Sequence, residues 1–260
     1  MTKRVAVVTG ASSGIGKATA IALAKRGLHV GLGYNSNVEG ARDTAAEVAS
    51  HGVQAVTFRM DLAAPALAAA AVDRAIGELG GIDVLVNNAG INRRASFLEE
   101  TLEDWQRILT VNTTGPFLCA QVAARRMVAQ GHGGRIINVT SVHEHIPIMG
   151  GSSYCASKSG VGLLTKVMAL ELAPYGITVN SISPGETATP MNGVPDGVDA
   201  SEISRPAIPL GRPGRSREVA AIIAHLADPD AAYITGVSLT VDGGLSLMSA
   251  IANQQYAGSR

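Results

Sequence analysis

Tyr154 and Lys158 stand four residues apart in "YCASK", and on a helix that offset stacks two side chains on one face. A phenol exchanges protons near neutral pH only if its pKa, ordinarily about 10, is brought down. A neighbouring ammonium does this by favouring the phenolate. The spacing therefore predicts a tyrosine acid/base whose pKa is lowered by the lysine. Taken alone, such a pair is more often an ordinary surface contact. Ser141 changes the reading, because it closes the run "GRIINVTS" just upstream of that helix. There its hydroxyl would hold a substrate oxygen and stabilise the charge that develops on it.

A second chemical feature lies at the start of the chain. "VAVVTGASSGIGKATA" places Gly10, Gly14 and Gly16 between a β-branched run and a helical one. Glycine lets the backbone turn tightly and lets a diphosphate approach the amides, while the helix start offers free N–H groups and partial positive charge. A triphosphate loop, G-x-x-x-x-G-K-[ST], would need glycine at Ala11 and Ser or Thr at Ala18, so it is set aside. The spacing also differs from G-x-G-x-x-G.

These groups need rigid elements to hold them, and the chain alternates accordingly. Runs at 4–10, 28–34, 54–62, 82–90, 134–141, 177–185 and 236–244 read as strands. Helical spacing fills the gaps, including one long helix over 102–130 and another from near 153 to about 175. A helix after 215 takes Ser216 as its cap, with Glu218 just inside. Strands alternating with helices imply right-handed crossovers and a parallel sheet covered on both faces. The expectation is a single Rossmann-type, doubly wound α/β domain over residues 1–260, with a seven-stranded parallel sheet. The polar stretch at about 186–215 is too long for an ordinary connection and is expected to be a substrate lid.

Composition narrows the classes. Hydrophobic residues make up 46% and charged residues 16%, which suits one folded domain, and aromatics at 3% leave the core to Ala, Val, Leu and Ile. Lys+Arg and Asp+Glu both total 21, so nothing global draws the chain to nucleic acid or to an anionic membrane. Cys119 and Cys155 form no metal-type or redox-type pair, and no targeting or membrane-spanning run is present, so a cytoplasmic location is the expectation. Cys155 and Trp105 read as packing residues. His143 and His145 read as lining or supporting the loop after Ser141. No metal site is expected, since no third spaced ligand stands out.

The order Thr9-Gly10-x-x-x-Gly14-x-Gly16, "NNAG" at 87–90, Ser141, "YCASK" at 154–158 and "PG" at 184–185 resembles the short-chain dehydrogenase/reductase family across almost the whole chain. "SVHEHIP" and "VDGG" further resemble the branch holding bacterial glucose 1-dehydrogenases and 3-oxoacyl-[acyl-carrier-protein] reductases. The resemblance implies a catalytic set of Asn112, Ser141, Tyr154 and Lys158, with Asn112 positioning a water behind the lysine and Lys158 bonding the nicotinamide ribose. It implies a dinucleotide held by Gly10, Ser12, Ser13, Gly14, Ile15 and Gly16 at the turn. Tyr34, Asn35 and Ser36 would take the adenosine ribose, and Asp61 and Leu62 the adenine. Asn88, Ala89 and Gly90 would lie beside the cofactor, with Pro184, Gly185, Thr187 and Thr189 around the nicotinamide. Ser141, His143, Tyr154 and Glu186 would meet the substrate. Glu186 departs from the family's small and aliphatic residues, and reads either as a solvated loop residue or as an acceptor for a hydroxylated substrate.

No carboxylate stands at Tyr34 to repel a 2′-phosphate, and Asn35 and Ser36 can donate to one, which favours NADP(H) over NAD(H). The resulting expectation is an NAD(P)(H)-dependent oxidoreductase acting on a sugar, polyol or hydroxyketone. A 3-oxoacyl-thioester reductase is the alternative, with Arg93, Arg94, Arg125 and Arg126 as a carrier patch. A non-catalytic dinucleotide sensor is the third reading. The resemblance also implies a homotetramer in which the Tyr154 helix and the 102–130 helix pack across subunits, with the tail after Gly244 reaching a neighbour.

Overall fold

The computed structural model of the chain describes residues 4–249. Most of the tail expected to reach a neighbouring subunit, residues 250–260, lies outside the described residues.

Strand β1 (Val5–Thr9) is buried along its whole length, as a strand covered on both faces must be. Six further strands join it in one parallel sheet. They are β2 (His29–Tyr34), β3 (Ala55–Arg59), β4 (Val84–Asn87), β5 (Gly134–Val139), β6 (Ile177–Pro184) and the last strand, β9 (Ser238–Val241), in the order β3-β2-β1-β4-β5-β6-β9. The chain builds outward from β1 in one direction and returns through β4 in the other. In such sheets ligands bind where the order reverses, outside the carboxyl ends of the two central strands.

The pleat sorts β1 between two cores. Val5 and Val7 pack with α3 (Pro65–Leu79) and α5 (Gly115–Gln130) through Val72, Ile76, Ala120, Ala123 and Met127. Ala6 and Val8 pack on the other face with α1 (Gly14–Ala24) and α7 (Ser216–Leu226) through Ala20, Leu23, Val219 and Ile223. Helix α2 (Val38–Ser50) adds Val48 to the second face, and α6 (Ser152–Leu172) adds Ala169 to the first. Among the described residues no helix is long and apolar enough to cross a membrane.

The expected helix over 102–130 is present without a gap, but it is not uniform. Helix α4 (Leu102–Leu109) gives way to a wide turn at Thr110–Thr114, where the Gly115 N–H bonds the Thr110 carbonyl, before α5 begins. Pro116 has no N–H to give the carbonyl of Asn112, so the α ladder cannot run through this point, and the chain absorbs an extra residue. The cap expected at Ser216 also moves. The backbone is extended at Arg215, Ser216 already starts α7, and the Glu218 carboxylate reaches back to accept the Arg215 N–H at 2.7 Å. Ser216 instead donates to the Ala188 carbonyl at 3.4 Å.

The segment expected to be one polar loop is tied at its ends. Strand β7 (Thr187–Ala188) pairs in parallel with β8 (Gly214–Arg215). Ion pairs brace it, Glu186 with Arg205 at 2.6 Å and Asp199 with Arg215 at 3.0 Å.

Candidate active site

A cleft of about 810 Å³ opens at the carboxyl ends of the central strands. The turn between β1 and α1 forms one wall, with Gly10, Ser12, Ser13, Gly14 and Ile15 on its surface. Gly16 does not line the cleft. It is buried in α1, where a Cβ would stand 2.0 Å from the Gly10 carbonyl oxygen and 2.5 Å from Asn88 Nδ2. Its role is to let helix and turn close together. Asn88 laces the turn to β4, donating from Nδ2 to the carbonyls of Thr9 at 3.0 Å and Gly10 at 3.1 Å. The Thr9 hydroxyl accepts the N–H groups of Asn88 and Ala89, both at 3.0 Å. Ser13 caps α1 without a side-chain bond, so the first-turn amides keep their donors for an anion. Asp196 already approaches them, its Oδ1 accepting from the Gly14 N–H at 3.3 Å.

Tyr34, Asn35, Ser36, Asp61 and Leu62 line the far end of the same cleft, and Ala89 and Gly90 its floor. Pro184, Gly185, Glu186, Thr187 and Thr189 line the opposite wall. The shape and donor set thus fit an elongated dinucleotide, with uncapped amides midway for its diphosphate. When bound, a nicotinamide supplies a carbon that gives or takes a hydride.

Ser141, Tyr154 and Lys158 meet at the inner end. Ser141 ends in extended backbone after β5, its Oγ accepts the His143 N–H at 3.2 Å, and the same hydroxyl stands near enough to the Tyr154 phenol to favour its ionised form. Lys158 is buried, with Nζ 5.7 Å from the centre of the Tyr154 ring and donating to the Val139 carbonyl at 3.0 Å. The expected direction of the Tyr154 shift is overturned. Burial pushes the phenol above its ordinary 10, and the Ser141 hydroxyl and Arg94, not the lysine, oppose it. Burial also brings Lys158 down to about 8. Desolvation penalises the charged form of each and is the largest influence on both.

Asn112 lies behind this set, outside the cleft lining. Its carboxamide is committed to the backbone of Ile91, accepting from N–H and donating to C=O, each at 2.9 Å, and it also donates to Ser157 at 3.2 Å. It clamps the loop after β4 to α6. His143 faces the Tyr154 ring edge-on at 6.3 Å and bonds the Ile146 carbonyl at 3.1 Å through Nδ1. Burial holds its pKa below the usual value, so it stays neutral. His145 points away, toward Ser183 and Ser238. Glu186 lines the cleft but is bound by Arg205. Sequence reasoning missed Arg94 and Arg107 in the lining and Asp196 at the turn. Their spacing carries no signal, since each arrives from a loop or helix distant in the chain.

Comparison with known proteins agrees with this geometry. The family pattern described as enoyl-(acyl carrier protein) reductase matches residues 10–246. The chain is 49% identical over 253 residues to the oxidoreductase YohF of Escherichia coli (strain K12), covering 97% of this chain and 98% of that one. The chain is a short-chain dehydrogenase/reductase. Like this short-chain dehydrogenase/reductase, a solved acetoin dehydrogenase from Enterobacter cloacae holds the same fold, with a TM-score of 0.90, 49% identity, and coverage of 96% of this chain and 98% of that chain. A 3-oxoacyl-[acyl-carrier-protein] reductase of Synechocystis is 43% identical over 246 residues, covering 94% of this chain and 98% of that protein.

Proposed function

We propose that this short-chain dehydrogenase/reductase moves a hydride between NADP(H) and the carbinol or carbonyl carbon of a small polar hydroxyketone, polyol or sugar. The observation that carries the reading is the Ser141–Tyr154 hydroxyl pair, with Lys158 behind it, at the inner end of a dinucleotide-sized cleft. Tyr154 gives its proton to the ketone oxygen in reduction and takes the hydroxyl proton in oxidation. Ser141 holds that oxygen. Lys158 would hold the nicotinamide ribose and Asn112 fixes the loop beside it. A phenol held in its protonated form at neutral pH has a proton to give to a ketone oxygen in reduction. Residues 186–215 serve as the substrate lid, with Glu186 and Arg205 at its mouth. The name of the Enterobacter relative supports a hydroxyketone.

The NADP(H) preference gains support from Arg59, an exposed residue paired in register with Tyr34 at the end where the adenosine ribose would lie. The carrier-protein alternative loses support, because Arg93 is paired with Asp104 and Arg126 with Asp73. A homotetramer fits the apolar outer faces of α5 and α6, where Phe117, Leu163 and Leu170 are exposed.

A substrate panel run with both NADPH and NADH tests the reading. Acetoin-type hydroxyketones and diketones should turn over, with kcat/KM favouring NADPH, and acetoacetyl thioesters should not. Tyr154→Phe should lower kcat by about a hundredfold or more while dinucleotide affinity stays within a few-fold. Retained turnover in that variant would refute the mechanism, and binding without turnover on any substrate would support a sensor.

A further inference from the structure

We infer that Glu186 is a specificity-determining residue: its carboxylate, held by Arg205, accepts a hydrogen bond from a second hydroxyl within a carbon or two of the carbonyl being reduced. The inference rests on the function just proposed, and narrows its substrate to a ketone that carries such a donor.

The backbone leading to Glu186 is fixed on several sides. On β6 the Ser183 hydroxyl donates to the enclosed Glu144 carboxylate at 3.1 Å and lies 3.0 Å from the hydroxyl of Thr140, just past β5. The Gly185 N–H bonds the Val241 carbonyl at 3.0 Å, and a Cβ on Gly185 would stand 2.7 Å from that of Asp242. The Glu186 carbonyl accepts from the Gly214 N–H at 2.9 Å, where β7 meets β8. Ser141 is the next residue after Thr140. Glu186 is the third after Ser183, so at most about 10 Å of chain runs between those two. Ser141 and Glu186 line the same cleft. The gap between them is therefore of small-molecule size. A carbonyl oxygen on Ser141 and a hydroxyl one or two carbons away can meet both.

The ion pair decides what Glu186 can recognise. Arg205 Nε donates to Oε1 at 2.6 Å, while its Nη1 turns to the Ser204 carbonyl at 3.0 Å. The pair is thus held through one carboxylate oxygen instead of a two-pronged fork. Among the described residues no hydrogen bond reaches Oε2. An ionised carboxylate only accepts. It rewards a ligand O–H and offers nothing to an ether oxygen or a second carbonyl. The Glu186 side chain is 32% exposed, so water can satisfy Oε2 when a ligand brings no donor. That keeps the discrimination moderate, below what a fully dry site would give.

Acetoin and its O-methyl ether differ in whether the second oxygen carries a proton, and their reduction with NADPH and with NADH tests the inference. The wild type should favour acetoin in kcat/KM by about tenfold to a hundredfold, the range of a hydrogen bond to a charged group. In Glu186→Leu the ratio should fall to within about threefold of one. Glu186→Gln keeps the shape and an acceptor oxygen but loses the charge, so its ratio should fall several-fold; this variant keeps the test alive if Glu186→Leu does not fold. A carboxylate that only anchors the lid would slow both ketones alike and leave the ratio unchanged. Calorimetry of butanediol and its monomethyl ether on the NADPH-bound protein, a pairing that cannot react, reads the same preference apart from turnover. An unchanged ratio in either folded variant, with acetoin still turned over, overturns the inference alone. A binding preference that falls in the variants of a protein that reduces no ketone overturns the proposed function alone. Neither turnover nor binding overturns both.

Discussion

Replacing Lys158 by Met should make the folded chain more stable at neutral pH while destroying turnover. The lysine is fully enclosed, and burial takes it from its ordinary 10.5 to about 8. A tenfold loss of proton affinity corresponds to about 1.4 kcal/mol, so carrying the ammonium into the fold at pH 7 costs about 3 kcal/mol. That cost is complete below 8, where folded and unfolded chains are both charged. Between 8 and 10.5 the folded chain releases its proton first, so the cost shrinks as pH rises and is gone above 10.5. Methionine removes the charge but leaves the Val139 carbonyl without its donor, an offset of about 1 kcal/mol. The variant should gain about 2 kcal/mol at pH 7, or about 4–8 °C in Tm for a domain of this size. At pH 10 the gain should be near zero. Urea denaturation of both proteins at the two pH values measures it. A variant less stable than the wild type at pH 7, or a gain of equal size at pH 10, would show that Lys158 is not a buried charge.

Gly16→Ala should cost about 2 kcal/mol or more, because the new methyl meets the Gly10 carbonyl at 2.0 Å and that contact is backbone. Thermal denaturation and fluorescence titration with NADPH should both report the loss. Asp196→Asn should tighten dinucleotide binding several-fold, since a carboxylate at the Gly14 amide competes with a diphosphate for the same donors; weaker binding would mean Asp196 helps to hold the cofactor. The bond from Arg212 lowers Glu218 to about 2 from an ordinary 4.5. Its contribution is therefore present above 4.5 and lost as pH falls through 2, and Glu218→Gln should flatten that part of the acid denaturation curve. The pair is partly exposed, so the effect should stay below about 1 kcal/mol.

The strands were legible because buried parallel strands are written as β-branched runs, and Val5 to Thr9 needs no other explanation than burial on both sides. Tyr154 and Lys158 were legible because helical spacing alone brings them to one face. The sign of the Tyr154 shift was not, since it depends on how much water distant segments exclude. Glu144 reads in the sequence as a polar residue between two histidines. Only the fold sets it against Gly162, Ser183 and Ser238, from three elements far apart in the chain. The wide turn at 110–114 was hidden for another reason. Apolar residues keep a helical rhythm through it, and the one local clue, Pro116, also suits the start of an ordinary helix.

That wide turn makes the rod of α4 and α5 behave like a screw with one surplus thread. Each residue of a helix accounts for about 100° of rotation. Removing a single residue from the regular turns of α5 would spin α4 by that angle about its own axis, carrying Arg107 out of the cleft and turning the buried Ile108 toward solvent. Removing one between 110 and 114 would only draw the wide turn in to an ordinary one and leave both helices in phase. Chain length is therefore tightly constrained along this rod except where it carries its surplus residue.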